Sequence, residues 1–166
     1  LYLPALRKVR RISASDRGDY FLGTDFTYED IKLEGKIELA DYDHRILREE
    51  ILSLKNSDSK VESLNTVVLE GLPKSSEIAN ELGYGKTEFW VDTETWLIRK
   101  AIYWDTKNNL LKTLEITDVS SIDGILTRHR LSVKNSKTGH FSEFVFSDVD
   151  YKSAVKDSLF SQRAMK

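Results

Sequence analysis

The feature that most constrains this chain is the period of its hydrophobic residues across its second half. From Ile125 to Lys134, Ile125, Leu131 and Val133 fall on one side, and Arg128, Arg130, Ser132 and Lys134 on the other. Successive side chains of a strand point to opposite faces, so this period of two is the signature of a half-buried β-strand. From Trp96 to Asp105 a similar pattern puts Trp96, Ile98, Ile102 and Trp104 on one face, interrupted by Lys100. Leu97, Arg99, Ala101 and Tyr103 take the other. Turn residues punctuate the run at Asp92–Thr95, Thr106–Asn109, Ile122–Gly124 and Asn135–Gly139. Asn, Asp and Gly tolerate the left-handed backbone that tight hairpins need. The expectation is an antiparallel meander with strands near 85–92, 96–105, 110–119, 125–134 and 140–151, because connections of about four residues join antiparallel neighbours.

The first half is less regular. Leu1 to Ile12 reads as a strand, with Pro4 marking an edge or bulge. Phe26 to Leu33 reads as a short helix capped by Thr24 or Asp25, with Glu29 and Asp30 in its first turn. His44 to Leu54 fits either a helix face (Leu47, Ile51, Leu54) or a strand face (Ile46, Leu52, Leu54). Residues 63–71 read as a strand, and Lys156 to Ala164 as a short helix packing Leu159 and Phe160.

Only two prolines, no Pro/Ser-rich linker and no internal repeat divide the 166 residues, which predicts one domain over residues 1–166. With 25 basic and 27 acidic residues the net charge is −2, which argues against a general nucleic-acid binder. No apolar run approaches the ~18 residues of a membrane-spanning helix. Cysteine is absent, which removes thiol catalysis, disulfide scaffolds and Cys-based zinc sites.

Several strands carry large apolar groups on both faces. Phe141 and Val145 oppose Phe144 and Phe146, and Trp90 opposes Phe89 and Val91. An ordinary antiparallel sheet is apolar on one face only. The second face must therefore line a cavity or be covered by protein, as in a sandwich. The predicted cavity wall joins Trp90, Trp96, Ile98, Ile102 and Trp104 to Leu114, Ile116, Leu131, Val133, Phe144 and Phe146, because same-face residues of neighbouring strands merge.

The polar residues give no catalytic constellation. Arg7, Lys8, Arg10 and Arg11 form a basic run with no acid in residues 1–12. It reads as a solvated strand, or as an anion site for lipid headgroups, nucleic acid or an acidic partner. Residues 16–50 are acidic, but Asp25 to Asp30 lacks the alternating oxygens and Gly turn of a calcium loop, so capping and surface solvation are expected. His44, His129 and His140 are isolated, which predicts no metal site. No nucleophile elbow, phosphate loop or dinucleotide fingerprint occurs. No cofactor is expected.

The residues Leu1-Tyr2-Leu3-Pro4-Ala5-Leu6-Arg7-Lys8-Val9-Arg10-Arg11-Ile12, then Gly23 to Asp30, resemble the outer membrane lipoprotein-sorting protein family, a LolA-like branch of the LolA/LolB lipoprotein carriers. Phe89-Trp90-Val91-Asp92, Trp96-Leu97, Leu111 to Leu114, Thr138-Gly139-His140, Phe146 to Val149 and Leu159-Phe160 are similar to the same family. The resemblance implies a mainly β fold, an incomplete, half-open antiparallel barrel with short helices as a lid, and a strand at His44–Leu54. It implies a non-catalytic periplasmic carrier or binding protein for lipoprotein acyl chains or other lipids. The alternative is an interaction accessory of an RND-type lipid exporter, docked through Arg7, Lys8, Arg10 and Arg11. Family members carry a signal peptide, a helix and further strands before the Leu-Tyr-Leu-Pro motif, so the chain reads as a fragment of a longer LolA-like protein.

Overall fold

In the computed structural model, residues 2–3, 6–9, 11, 13, 16–32, 39–161 and 163–164 are described. Two short strands, β1 (Tyr2–Leu3) and β2 (Lys8–Val9), pair as a separate small hairpin. Among the described residues the rest of the β structure is one antiparallel sheet whose strand order follows the chain. Its strands are β3 (Tyr42–Lys55), β4 (Val61–Pro73), β5 (Lys86–Asp92), β6 (Ile98–Trp104), β7 (Leu110–Ile122), β8 (Ile125–Asn135) and β9 (Phe141–Val145). β3 and β9 are its edges, so the sheet does not close into a barrel. This is the expected meander, and His44–Leu54 lies within a strand.

The hairpins differ in length, and that difference bends the sheet. β5 pairs with β4 only from Thr66 to Gly71, and β6 with β7 only from Leu110 to Glu115. The long β3–β4 and β7–β8 hairpins overshoot this short middle and meet beyond it. Ser57 donates its backbone N–H and its Oγ–H to Asp118 Oδ1, each at 3.1 Å. Arg99, only 2 % exposed, donates to the Ile116 carbonyl at 3.1 Å and pairs with Glu62 at 2.6 Å. Arg99 reaches both because it is the extra residue of a bulge: Trp90 opposes Lys100, while Val91 opposes Ile98. A bulge bends its strand and re-aims the side chain it carries.

Two helices lie on one face of the sheet. In α1 (Tyr28–Lys32) the cap is Thr27 rather than Thr24 or Asp25: Asp30 N–H donates to Thr27 Oγ1 at 3.2 Å, and Thr27 N–H donates to Asp30 Oδ2 at 2.7 Å. α2 (Ser76–Leu82) was not expected, although its signals are in the sequence. Ser75 Oγ accepts from Ile78 N–H, and Gly83 closes the helix with φ 76°, the usual polar start and glycine stop. Beneath these helices the main core joins Phe89, Ala101 and Tyr103 to Leu114, Ile116, Leu131 and Val133, roofed by Phe26, Leu82 and Tyr84. A smaller cluster of Leu52, Leu54, Val68 and Trp90 lies apart from it, with Ile102 packed against it.

Other expectations are corrected. The first strand is the β1–β2 hairpin, turned at Arg7 with φ 49°. Leu1, Pro4, Arg10 and Ile12 of that expected strand, and Leu33 of the expected helix, lie outside the described residues. The strand expected over 140–151 ends at Val145. The expected C-terminal helix is a 3₁₀ turn at Asp157–Phe160, and Leu159 and Phe160 are exposed rather than packed.

Gly85 sits where strands approach too closely for a side chain. A Cβ there would stand 2.6 Å from the Asp105 carbonyl oxygen, which is backbone and cannot step aside cheaply. Gly85→Ala is expected to destabilise the fold by ~1–3 kcal/mol, the usual cost of overpacking. Urea unfolding followed by tryptophan fluorescence measures this.

Candidate functional site

Residues 16–32 cross the helix-bearing face and are fastened to it by buried charge. Lys112, on β7, has the same strand parity as Leu114 and Ile116 and has no exposed surface. Its ammonium pairs with Asp30 Oδ2 and donates to the Asp25 carbonyl at 2.9 Å. The rings of Tyr84 and Tyr103 lie 5.2 and 5.3 Å from it, within cation–π range. Tyr84 OH donates to Asp30 Oδ1 at 2.7 Å. Burial, with Asp30 beside them, pushes both phenols up, so they stay protonated.

Asp25 makes a second attachment. Its carboxylate accepts from Ser142 Oγ at 2.8 Å and Asn135 Nδ2 at 3.2 Å, and lies 2.5 Å from His140 Nδ1. Burial pushes this carboxyl up, but the hydrogen bonds from Ser142, His140 and Asn135 outweigh it and hold it below its ordinary value. A third attachment is Arg17, which grips the buried Glu29 at 2.6 and 2.8 Å and reaches Asp41 at 2.5 Å. The surface solvation expected for these acids is therefore corrected at Asp25, Glu29 and Asp30, while Asp30 does serve in the cap of α1 as expected of an acid here. All three are buried: Asp25 and Asp30 meet donors that the fold brings from far along the chain, and Glu29 meets Arg17 of its own segment.

Between this fastened segment and β8–β9 lies an apolar cleft of about 230 Å³. Phe21, Phe26 and Ile31 form the wall on the segment; Leu131, Phe144 and Phe146 form the wall on the sheet side. The Phe26 and Phe144 ring centroids are 4.4 Å apart. Asp30 is the polar member of the lining. A more polar cleft of about 640 Å³ borders the same segment at Tyr20, Thr24 and Asp25, facing Asn135, Lys137 and His140.

The predicted cavity wall is split by the structure. Leu131, Phe144 and Phe146 line the apolar cleft, while Leu114, Ile116 and Val133 pack in the core cluster on that face. The single face expected for Trp96, Ile98, Ile102 and Trp104 is a correction. Trp96 is 75 % exposed and lies in the β5–β6 turn with φ 59°. The Arg99 bulge then reverses the parity of β6. Ile98, before it, packs with the main core; Ile102, after it, packs with Trp90 in the smaller cluster. Trp104 shares the Ile102 face and is capped by Lys86 Nζ at 3.6 Å from its ring. Trp90 donates its Nε1–H to Glu50, with Arg48 and Lys100 over its ring. Of the basic run, Arg7, Lys8 and Arg11 are exposed, and Arg10 lies outside the described residues. Among the described residues no cluster of three or more His, Asp or Glu could hold a metal ion, and no helix is long and apolar enough to cross a membrane.

The architecture is a curled, unclosed antiparallel sheet with a helical segment fastened over an apolar cleft, and solved structures share its fold. A domain from Vibrio parahaemolyticus described as an outer membrane lipoprotein-sorting protein domain is 28% identical, with a TM-score of 0.78. A DUF1329 family protein from Desulfovibrio piger is 31% identical, with a TM-score of 0.79. Each likeness covers 99% of this chain and 63% of the other. A LolA superfamily protein from Nitrosomonas europaea, 20% identical with a TM-score of 0.58 over 99% of this chain and 66% of its own, shares the fold. A family model described as "uncharacterized protein" matches residues 1–166. No curated protein sequence matches. The chain belongs to the family whose model it matches over residues 1–166, has the fold of the LolA superfamily protein, and spans less than two thirds of the length of these solved relatives.

Removing the ammonium should leave Asp30 as a buried, uncompensated charge. Lys112→Met is expected to cost about 3–5 kcal/mol of stability, read by chemical unfolding. The Asp25 carboxyl titrates lower in the folded state than its unfolded value of about 3.9, so the native state binds fewer protons. Its contribution is complete above that value and is lost as pH falls through the folded one. Asp25→Asn should therefore flatten the decline of Tm below pH ~4 relative to the parent.

Proposed function

We propose that the protein is a non-catalytic periplasmic carrier or binding protein that holds the hydrocarbon part of lipoprotein acyl chains or other lipids. The observation that carries this reading is the apolar cleft between Phe21, Phe26 and Ile31 and the β8–β9 surface. Its walls offer contact area and little chemistry, which suits a ligand that is held rather than transformed. Burial of apolar surface stabilises a bound chain by ~25 cal/mol per Å² without any reactive group. The sheet-and-lid architecture, and the lipoprotein-sorting description of the Vibrio relative, support the same reading. The likeness to the lipoprotein-sorting domain supports periplasmic residence.

The test is binding of a dansyl-labelled fatty acid by the full-length protein, with native mass spectrometry of the protein as purified from bacteria. Phe146, half in solvent at the cleft, takes a charge without disturbing the core. Phe146→Glu should weaken binding at least tenfold while Tm stays close to the parent. Trp96→Ala, in the exposed turn, should leave affinity unchanged. Protein that carries no lipid and binds no labelled chain contradicts the proposal.

A further inference from the structure

The lining of the apolar cleft also says which end of a lipid it can take; this rests on the carrier reading above. Asp30, its polar member, has both carboxylate oxygens already engaged and a side chain that is nearly inaccessible. Tyr84 OH occupies Oδ1, and Thr27 N–H with the Lys112 ammonium occupies Oδ2. Nor is a backbone donor free on the segment wall. Phe21 N–H donates to the Phe26 carbonyl, Phe26 N–H to Thr24 Oγ1 and Ile31 N–H to the Thr27 carbonyl. Phe146 N–H, across the cleft, donates to the His129 carbonyl. A carboxylate, phosphate or amide entering here would give up its water without replacement. A methyl end meets only hydrocarbon.

The volume sets the length. A methylene fills a volume close to a water molecule's share of the liquid, ~30 Å³. A cleft of about 230 Å³ therefore holds a single stretch of ~8 methylenes at close packing.

We infer that the cleft takes the methyl end of one hydrocarbon chain over ~8 methylenes and leaves the head group outside, so that it reads the tail and is indifferent to the head. Binding strength then climbs with chain length until the cleft is full. Each added methylene within it gains about fourfold in affinity, and each beyond it gains little.

The experiment is competition against a dansyl-labelled fatty acid on the full-length protein, with every ligand below its micellar concentration. One arm runs straight-chain carboxylates from hexanoate to hexadecanoate. The other holds a decyl or decanoyl chain fixed and varies the head among carboxylate, alcohol, maltoside and N-acyl-cysteine. The expected result is a rise of about fourfold per methylene that breaks near ten carbons, with all heads within threefold of one another. Ile31→Phe, which narrows the cleft, should move the break to shorter chains. A rise continuing unbroken to hexadecanoate overturns the inference while leaving the carrier reading in place, as does a preference of more than tenfold for one head. Failure of every chain to bind removes the carrier reading and this inference with it.

Discussion

A lysine without exposed surface, paired with an aspartate that is itself nearly inaccessible, holds this structure in its present form. Lys112 belongs by strand parity to the same face as Leu114 and Ile116, where an unpaired ammonium would be prohibitive. It is tolerated because residues 25–30 bring it a carboxylate and a carbonyl, and because tyrosine rings surround what remains. A buried pair of this kind adds little net stability compared with a hydrophobic pair, but breaking it is costly. It fastens residues 25–30 to β7 at two points, the Asp30 carboxylate and the Asp25 carbonyl. Phe26 and Ile31 are carried to their positions by that placement, and the apolar cleft is the space left between them and β8–β9.

The sheet supplies the other half of the geometry. Unequal hairpins let β3–β4 and β7–β8 reach each other past the short β5–β6 turn, and the Arg99 bulge ties them with a bond to each side. The same bulge separates the two apolar faces. Before it Ile98 joins the main core, and beyond it Ile102 joins Trp90 in the smaller cluster. The second face is covered by its own long side chains, with Arg48, Lys86 and Lys100 over tryptophan rings. Charged side chains with apolar stems cover such surfaces well.

What the sequence disclosed follows from the range over which each signal acts. The meander was legible because alternation and turn residues are local, and Leu114, Ile116, Leu131 and Val133 were placed together because two neighbouring strands without a bulge between them keep their parity. The tryptophan face was illegible because one extra residue at Arg99 reverses everything on one side of it. Trp96 compounded the error by sitting in the turn. The buried acids were hidden for a different reason. Asp25 meets Ser142 and His140, and Asp30 meets Lys112, across separations that no local pattern encodes. Lys112 on an otherwise apolar parity was the available clue to a buried counter-charge. Family resemblance supplied the strand at His44–Leu54, where periodicity was evenly divided.

In the proposed complex a hydrocarbon chain lies between the residue 21–31 segment and β8–β9, on the helix-bearing face. Paramagnetic broadening of methyl NMR signals by a fatty acid carrying a nitroxide near its methyl end addresses this directly. Strong broadening is expected at the Ile31 and Leu131 methyls, with Ile102 and Leu52 in the smaller cluster unaffected. Broadening centred on Ile102 and Leu52, with Ile31 and Leu131 left sharp, would contradict it.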